Sequence, residues 1–111
     1  TFAYVAYDHE PVEIEGARAN NLSSEQLTAN ARAFCEAIAA AGYAPMLYGN
    51  QRDLLRLAPE RRAAYPVWLA EYDVEVPTAP LDFSIWQYTN AGTVPGIPTD
   101  VDLNVWLEPQ K

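Results

Sequence analysis

Asp8 and Glu10 stand two residues apart where the apolar run Thr1–Tyr7, TFAYVAY, gives way to polar residues and Pro11. Residues i and i+2 of a strand point to the same face, so both carboxylates leave one strand end together. Two carboxylates in an aromatic cleft push each other's pKa values apart, leaving one proton donor and one ionised partner. That is the requirement for cleaving a glycosidic bond. A bare D-x-E is also an ordinary solvated turn, and taken alone that reading is favoured. Asp102 and Asn104 share one face of VDLNVW by the same logic, and polar groups in an apolar strand are costly unless paired or functional. Trp68, Tyr72, Trp86 and Tyr88 each fall near the end of a predicted strand. Such rings stack on sugars, and they are equally ordinary core material.

The composition narrows the remaining chemistry. The 111 residues fit one domain, and half of them are apolar, ample for a core. Fifteen acidic against seven basic residues leave a net charge of -8, which argues against nucleic acid, where Lys and Arg must neutralise phosphates. No apolar run approaches the ~18 residues of a membrane span. The single cysteine, Cys35, excludes an internal disulfide and a cysteine-rich zinc site. The single histidine, His9, excludes most histidine-based metal sites. His9 faces away from Asp8 and Glu10 if the strand persists, which makes it structural rather than catalytic. Cys35 falls on a buried helix face as a small apolar residue.

The elements that must position these groups follow from pattern. The first strand is the TFAYVAY run itself. A helix starts at Ser23, an N-cap with Gln26 completing a capping box, and carries Leu27, Ala31, Phe34, Cys35 and Ile38 on one face. Gly42 supplies its left-handed stop. Tyr43 to Tyr48 reads as a second strand, and Asn50 caps a second helix through about Leu57, ended by Pro59. Val67 to Ala70, Phe83 to Thr89 and Val101 to Trp106 read as three further strands, with loops over Val74 to Leu81 and Asn90 to Asp100. The order β-α-β-α-β-β-β predicts parallel βα units continued by strands on short links, hence a mixed sheet or a partial barrel.

Four stretches, in order, resemble the glycoside hydrolase family 25 lysozymes, the Chalaropsis-type muramidases: YVAYDHE, APMLYGN, VWLAEYDVEVPTAP and FSIWQYTNAGTVPGIPTDVDLNVW. The resemblance implies an α/β fold, a modified TIM-type barrel of five β/α units and three strands. The five predicted strands then fall at strands four to eight, its C-terminal half, and residues 1–111 form a single partial catalytic domain. It implies a peptidoglycan hydrolase that cleaves the β-1,4 bond between N-acetylmuramic acid and N-acetylglucosamine. Glu10 is then the general acid/base and Asp8 the assisting carboxylate. Asp102, Tyr48, Trp68, Tyr72, Trp86 and Tyr88 fall at substrate-binding positions. No metal or cofactor is implied. The partners are peptidoglycan glycan strands, with neither nucleic acid nor membrane.

The chain departs from the family pattern in two ways. The middle residue of D-x-E is commonly apolar, and here it is His9, which needs a partner in the helix layer. The family's first three strands, the first of which contributes an aspartate, have no counterpart in the sequence. The expected consequences are an inactive fragment and self-association through open barrel edges. The place of action implied is extracellular or at the cell wall, although no signal peptide is visible. The alternative is a non-catalytic carbohydrate-binding or interaction half-barrel derived from such an enzyme.

Overall fold

A computed structural model describes residues 4–10, 14–18 and 20–107. The expected Thr1–Tyr7 strand is seen as β1 (Val5–Asp8); its first three residues lie outside the described ones. It is followed by α1 (Ser24–Ala40), β2 (Pro45–Asn50), α2 (Gln51–Leu55), α3 (Pro59–Ala64), β3 (Val67–Ala70), β4 (Ile85–Gly92) and β5 (Val101–Trp106). The strands form one five-stranded sheet in chain order. β1 to β4 run parallel and β5 returns antiparallel to β4.

α1 begins as the sequence predicts. The Ser23 side chain accepts from the Gln26 N–H at 3.0 Å, satisfying one of the free donors of the first turn. The Gln26 side chain turns forward instead of completing the box, donating to Asn30 Oδ1 at 2.7 Å. Gly42 follows the helix with φ +91°, a conformation that side chains with a Cβ resist.

The stretch after β2 holds two helices, not one. Asn50 Oδ1 accepts from the Asp53 N–H at 2.8 Å and caps α2, which ends at Leu55. Pro59, expected to end a helix, starts α3 instead. At the first helical position proline's fixed φ suits the helix and its missing N–H is no loss. β4 also runs three residues beyond Thr89, through two register irregularities. Gly92 makes this possible, because a Cβ there would stand 2.5 Å from Leu103 Cδ1.

Register assigns the two faces of the sheet. The helix side carries Tyr7, Leu47 and Val67 in one row and Gly49, Leu69 and Trp86 in the next. Leu27, Ala31 and Cys35 of α1 and Leu54 of α2 pack on it, forming the core cluster with Leu47, Val67 and Leu69. The Tyr7 and Phe34 rings meet there at 5.3 Å. Cys35 is fully buried, and burial pushes its thiol pKa up.

The other face carries Asp8 and Tyr48 on β1 and β2, Trp68 and Ala70 on β3, Ile85 and Gln87 on β4, and Asn104 on β5. It is concave. Tyr4, just before β1, and Trp106 at the end of β5 bring their rings to 5.8 Å although their strands are the two edges of the sheet.

Candidate active site

Four parallel strands end at the same mouth of the sheet. β5 runs the other way, so its first residues return to that mouth. This places Asp102 near the exit of β1, where Asp8 and Glu10 leave the sheet. The charges of Asp102 and of Asp53 on α2 both bear on Glu10.

Partial burial raises the pKa of both Asp8 and Glu10. The influence of each side chain on the other divides them. It pulls Asp8 back down, helped by the nearby His9, and pushes Glu10 further up, alongside the repulsion from Asp8, Asp53 and Asp102. Every influence on Glu10 raises its pKa, whereas two of the three on Asp8 lower it, so Glu10 is the carboxyl more disposed to hold a proton.

Beside the carboxylates lies a hydroxyl cluster. Tyr48 and Tyr72 both donate to Gln87 Oε1, each at 2.6 Å. Gln87 is 2% exposed, so its amide is a fixed anchor between the two rings. Burial raises the pKa of both phenols, Tyr48 the more strongly; Tyr72 and then Glu10 add to the rise at Tyr48, and Asp102 and Glu10 to that at Tyr72. Both stay protonated as donors. The Trp68 ring meets Tyr48 edge-on at 4.9 Å, and its indole N–H donates to Asn104 Oδ1 at 2.7 Å, tying β3 to β5 across the concave face.

Glu71, directly after β3, organises the loop to β4. Its carboxylate accepts from the Thr78 and Ala79 N–H groups, at 2.7 and 3.3 Å, and from the Thr78 hydroxyl. These bonds, the Thr78 hydroxyl foremost, hold its pKa below the usual carboxylate range. Its N–H bonds Gln87 C=O at 3.1 Å, and its own C=O accepts from the Trp86 indole at 2.8 Å. Tyr72, the next residue, is thereby set at the mouth.

The sequence expectations divide here. Asp8, Glu10, Asp102, Tyr48, Trp68 and Tyr72 come together on the concave face or at its mouth. Trp86 and Tyr88, expected to line the same groove, belong to the opposite face. Trp86 pairs in register with Leu69 on the helix side, and the Tyr88 ring packs on it at 5.8 Å. Gln87, Asp53 and Glu71 were not singled out by sequence. Gln87 sits between two aromatics that drew attention by type, and the i, i+2 spacing from Ile85 on an apolar face was the signal available for it.

A curved, mainly parallel sheet with carboxylates at its C-terminal mouth has the layout of the site-bearing end of an α/β barrel. The chain belongs to the glycosyl hydrolases family 25, whose model matches residues 2–97. A bacterial lysozyme from Streptomyces coelicolor superposes with a TM-score of 0.70 at 25% identity, over 93% of this chain and 48% of that one. The CTP1L endolysin gives 0.64 at 26% identity, over 73% and 30%. A family 25 glycosyl hydrolase from Bacillus anthracis shares the fold, with a TM-score of 0.67 at 19% identity, over 96% and 49%. No curated protein matches the chain. The chain thus spans half or less of the length of these solved structures. Among the described residues, no helix is long and apolar enough to cross a membrane.

Proposed function

We propose that this chain is the carboxylate-bearing, C-terminal part of a peptidoglycan hydrolase, a single partial catalytic domain contributing strands four to eight of a (β/α)5β3 barrel. Its substrate is the glycan strand, cut at the β-1,4 bond between N-acetylmuramic acid and N-acetylglucosamine, outside the cell or at the wall. The observation that carries this reading is the adjacent Asp8–Glu10 carboxyl pair, with the pKa of both raised, at the mouth of a family 25 sheet.

In this reading Glu10 protonates the leaving glycosidic oxygen and then, as the base, activates water. Asp8 stays ionised. It stabilises the positive charge that develops at the anomeric carbon, or orients the substrate's own N-acetyl group toward it. Tyr48, Trp68, Tyr72 and Asp102 line the sugar subsites, the rings offering flat faces and the phenols fixed donors. No metal or cofactor takes part.

The test is clearing of a peptidoglycan suspension by a barrel of full family length that contains this chain. The reading expects release of reducing ends with N-acetylmuramic acid at the terminus. Binding to peptidoglycan with no bond cleaved supports the carbohydrate-binding alternative instead.

A further inference from the structure

Two buried polar atoms among the described residues have no hydrogen-bond partner: His9 Nε2 and Asp53 Oδ1. Their chemistry is complementary, an imidazole N–H and a carboxylate oxygen. Their places in the fold are adjacent. Register sets Asp8 against Tyr48, so one step further along both parallel strands sets His9 beside Gly49. The alternation that turns Asp8 to the concave face turns His9 to the helix side. Gly49 is bare on that side, and a Cβ there would meet Asp53 Cβ at 3.8 Å. The imidazole and the carboxylate therefore flank one glycine.

Asp53 is 5% exposed. Its ion-pair partner is Arg52 at 3.6 Å, whose side chain is 73% exposed and adds no hydrogen bond. Leaving a buried carboxylate oxygen unbonded is costly, and the same holds for a buried imidazole nitrogen.

His9 Nε2 and Asp53 Oδ1 make no direct hydrogen bond or ion pair with each other, and we propose that they are joined across Gly49 over one bridging water, Nε2–H donating to the water and the water to Oδ1, and that this link anchors the segment bearing Asp8 and Glu10. His9 lies between those two residues, so fixing its ring fixes the backbone from which both carboxylates project. His9 and Asp53 are thus positioning residues. The anchor's catalytic meaning rests on the hydrolase reading above. Its existence does not, and the test reads the imidazole, so the two fail separately.

His9 is the only histidine, so its ring signals need no assignment. Long-range proton–nitrogen NMR spectra of the chain should show one fixed tautomer with the proton on Nε2 and slow exchange of that proton. Asp53→Asn, which keeps the side chain's shape, should give a mixture of tautomers and lose the slowly exchanging proton. Gly49→Ala should do the same by inserting a methyl between the partners, while making only ordinary contact with Leu54 at 3.4 and 3.7 Å. A double-mutant cycle with His9→Phe and Asp53→Asn should show coupling of about tenfold in the unfolding equilibrium constant. Identical imidazole spectra in all three proteins, or effects in the cycle that simply multiply, would overturn the pairing.

Discussion

The Tyr4 and Trp106 rings touch at 5.8 Å across a sheet in which their strands are the two outermost. The contact lies at the end of the sheet opposite the carboxylates, so it closes the base of the concave face and leaves the mouth open. It does not join the edges. Among the described residues β1 pairs only with β2 and β5 only with β4, which leaves a free backbone edge on each. Trp106 is 53% exposed and has Val105 and Leu107 exposed beside it. Free strand edges with exposed apolar side chains template association. Sedimentation of the 111 residues should show concentration-dependent dimers or larger species; a monomer across the accessible range would count against open edges.

The Gln87 amide is the structural hub of the groove. Gln87→Leu keeps most of the volume but leaves the Tyr48 and Tyr72 hydroxyls without their shared acceptor. Stability to urea should fall by about 1–3 kcal/mol, the cost of stranding buried polar groups. Tyr72→Phe removes a donor and strands no one, and should cost about 0.5–1.5 kcal/mol. Equal losses in the two variants would show that Gln87 is not the anchor.

Glu71→Ala should loosen the loop between β3 and β4 without unfolding the sheet. The Thr78 and Ala79 amides lose their acceptor, so their hydrogen exchange should accelerate at least about tenfold while the β2 and β3 amides keep their protection. Unchanged exchange at Thr78 would contradict the clasp.

The raised carboxylates give stability a definite pH slope. Asp8 and Glu10 bind protons more tightly in the folded chain than in the unfolded one. Their contribution therefore favours folding at low pH. It declines as pH rises from the ordinary carboxylate range of about 4 through the raised folded values. Glu10→Gln removes its part of this penalty. The variant should be more stable than the parent at pH 7, with the difference shrinking toward pH 4, as thermal melts across that range would show. Greater stability of the parent at pH 7 would mean that Glu10 is stabilised as an anion, against the assignment made here.

Much of this site is legible from residue type alone, and the rest depends on register. The Asp8–Glu10 spacing and the Ser23 cap are local signals, and the cap forms as expected. Trp68 and Trp86 look equivalent in sequence, each inside a short apolar strand. A shift of one residue in pairing reverses the face, and Trp86 falls opposite Leu69 where Ile85 falls opposite Trp68. Asp53 reads as an ordinary acidic residue in a helix's first turn, a place where negative charge is favoured. In the fold it is buried, 5% exposed beside Gly49, which its type and position do not announce. Pro59 carries both meanings, stop and start, and the helix formers that follow it settle the matter in favour of a start.

The central claim is that Glu10 carries the proton that cleaves the glycosidic bond. The most direct measurement is the rate of peptidoglycan clearing by Glu10→Gln in a full-length barrel containing this chain, with the fold checked by circular dichroism. The account predicts a folded variant slowed by a factor of about 10² to 10⁴, the usual contribution of general acid catalysis. A folded Glu10→Gln protein that clears cell walls at the parent's rate would contradict it.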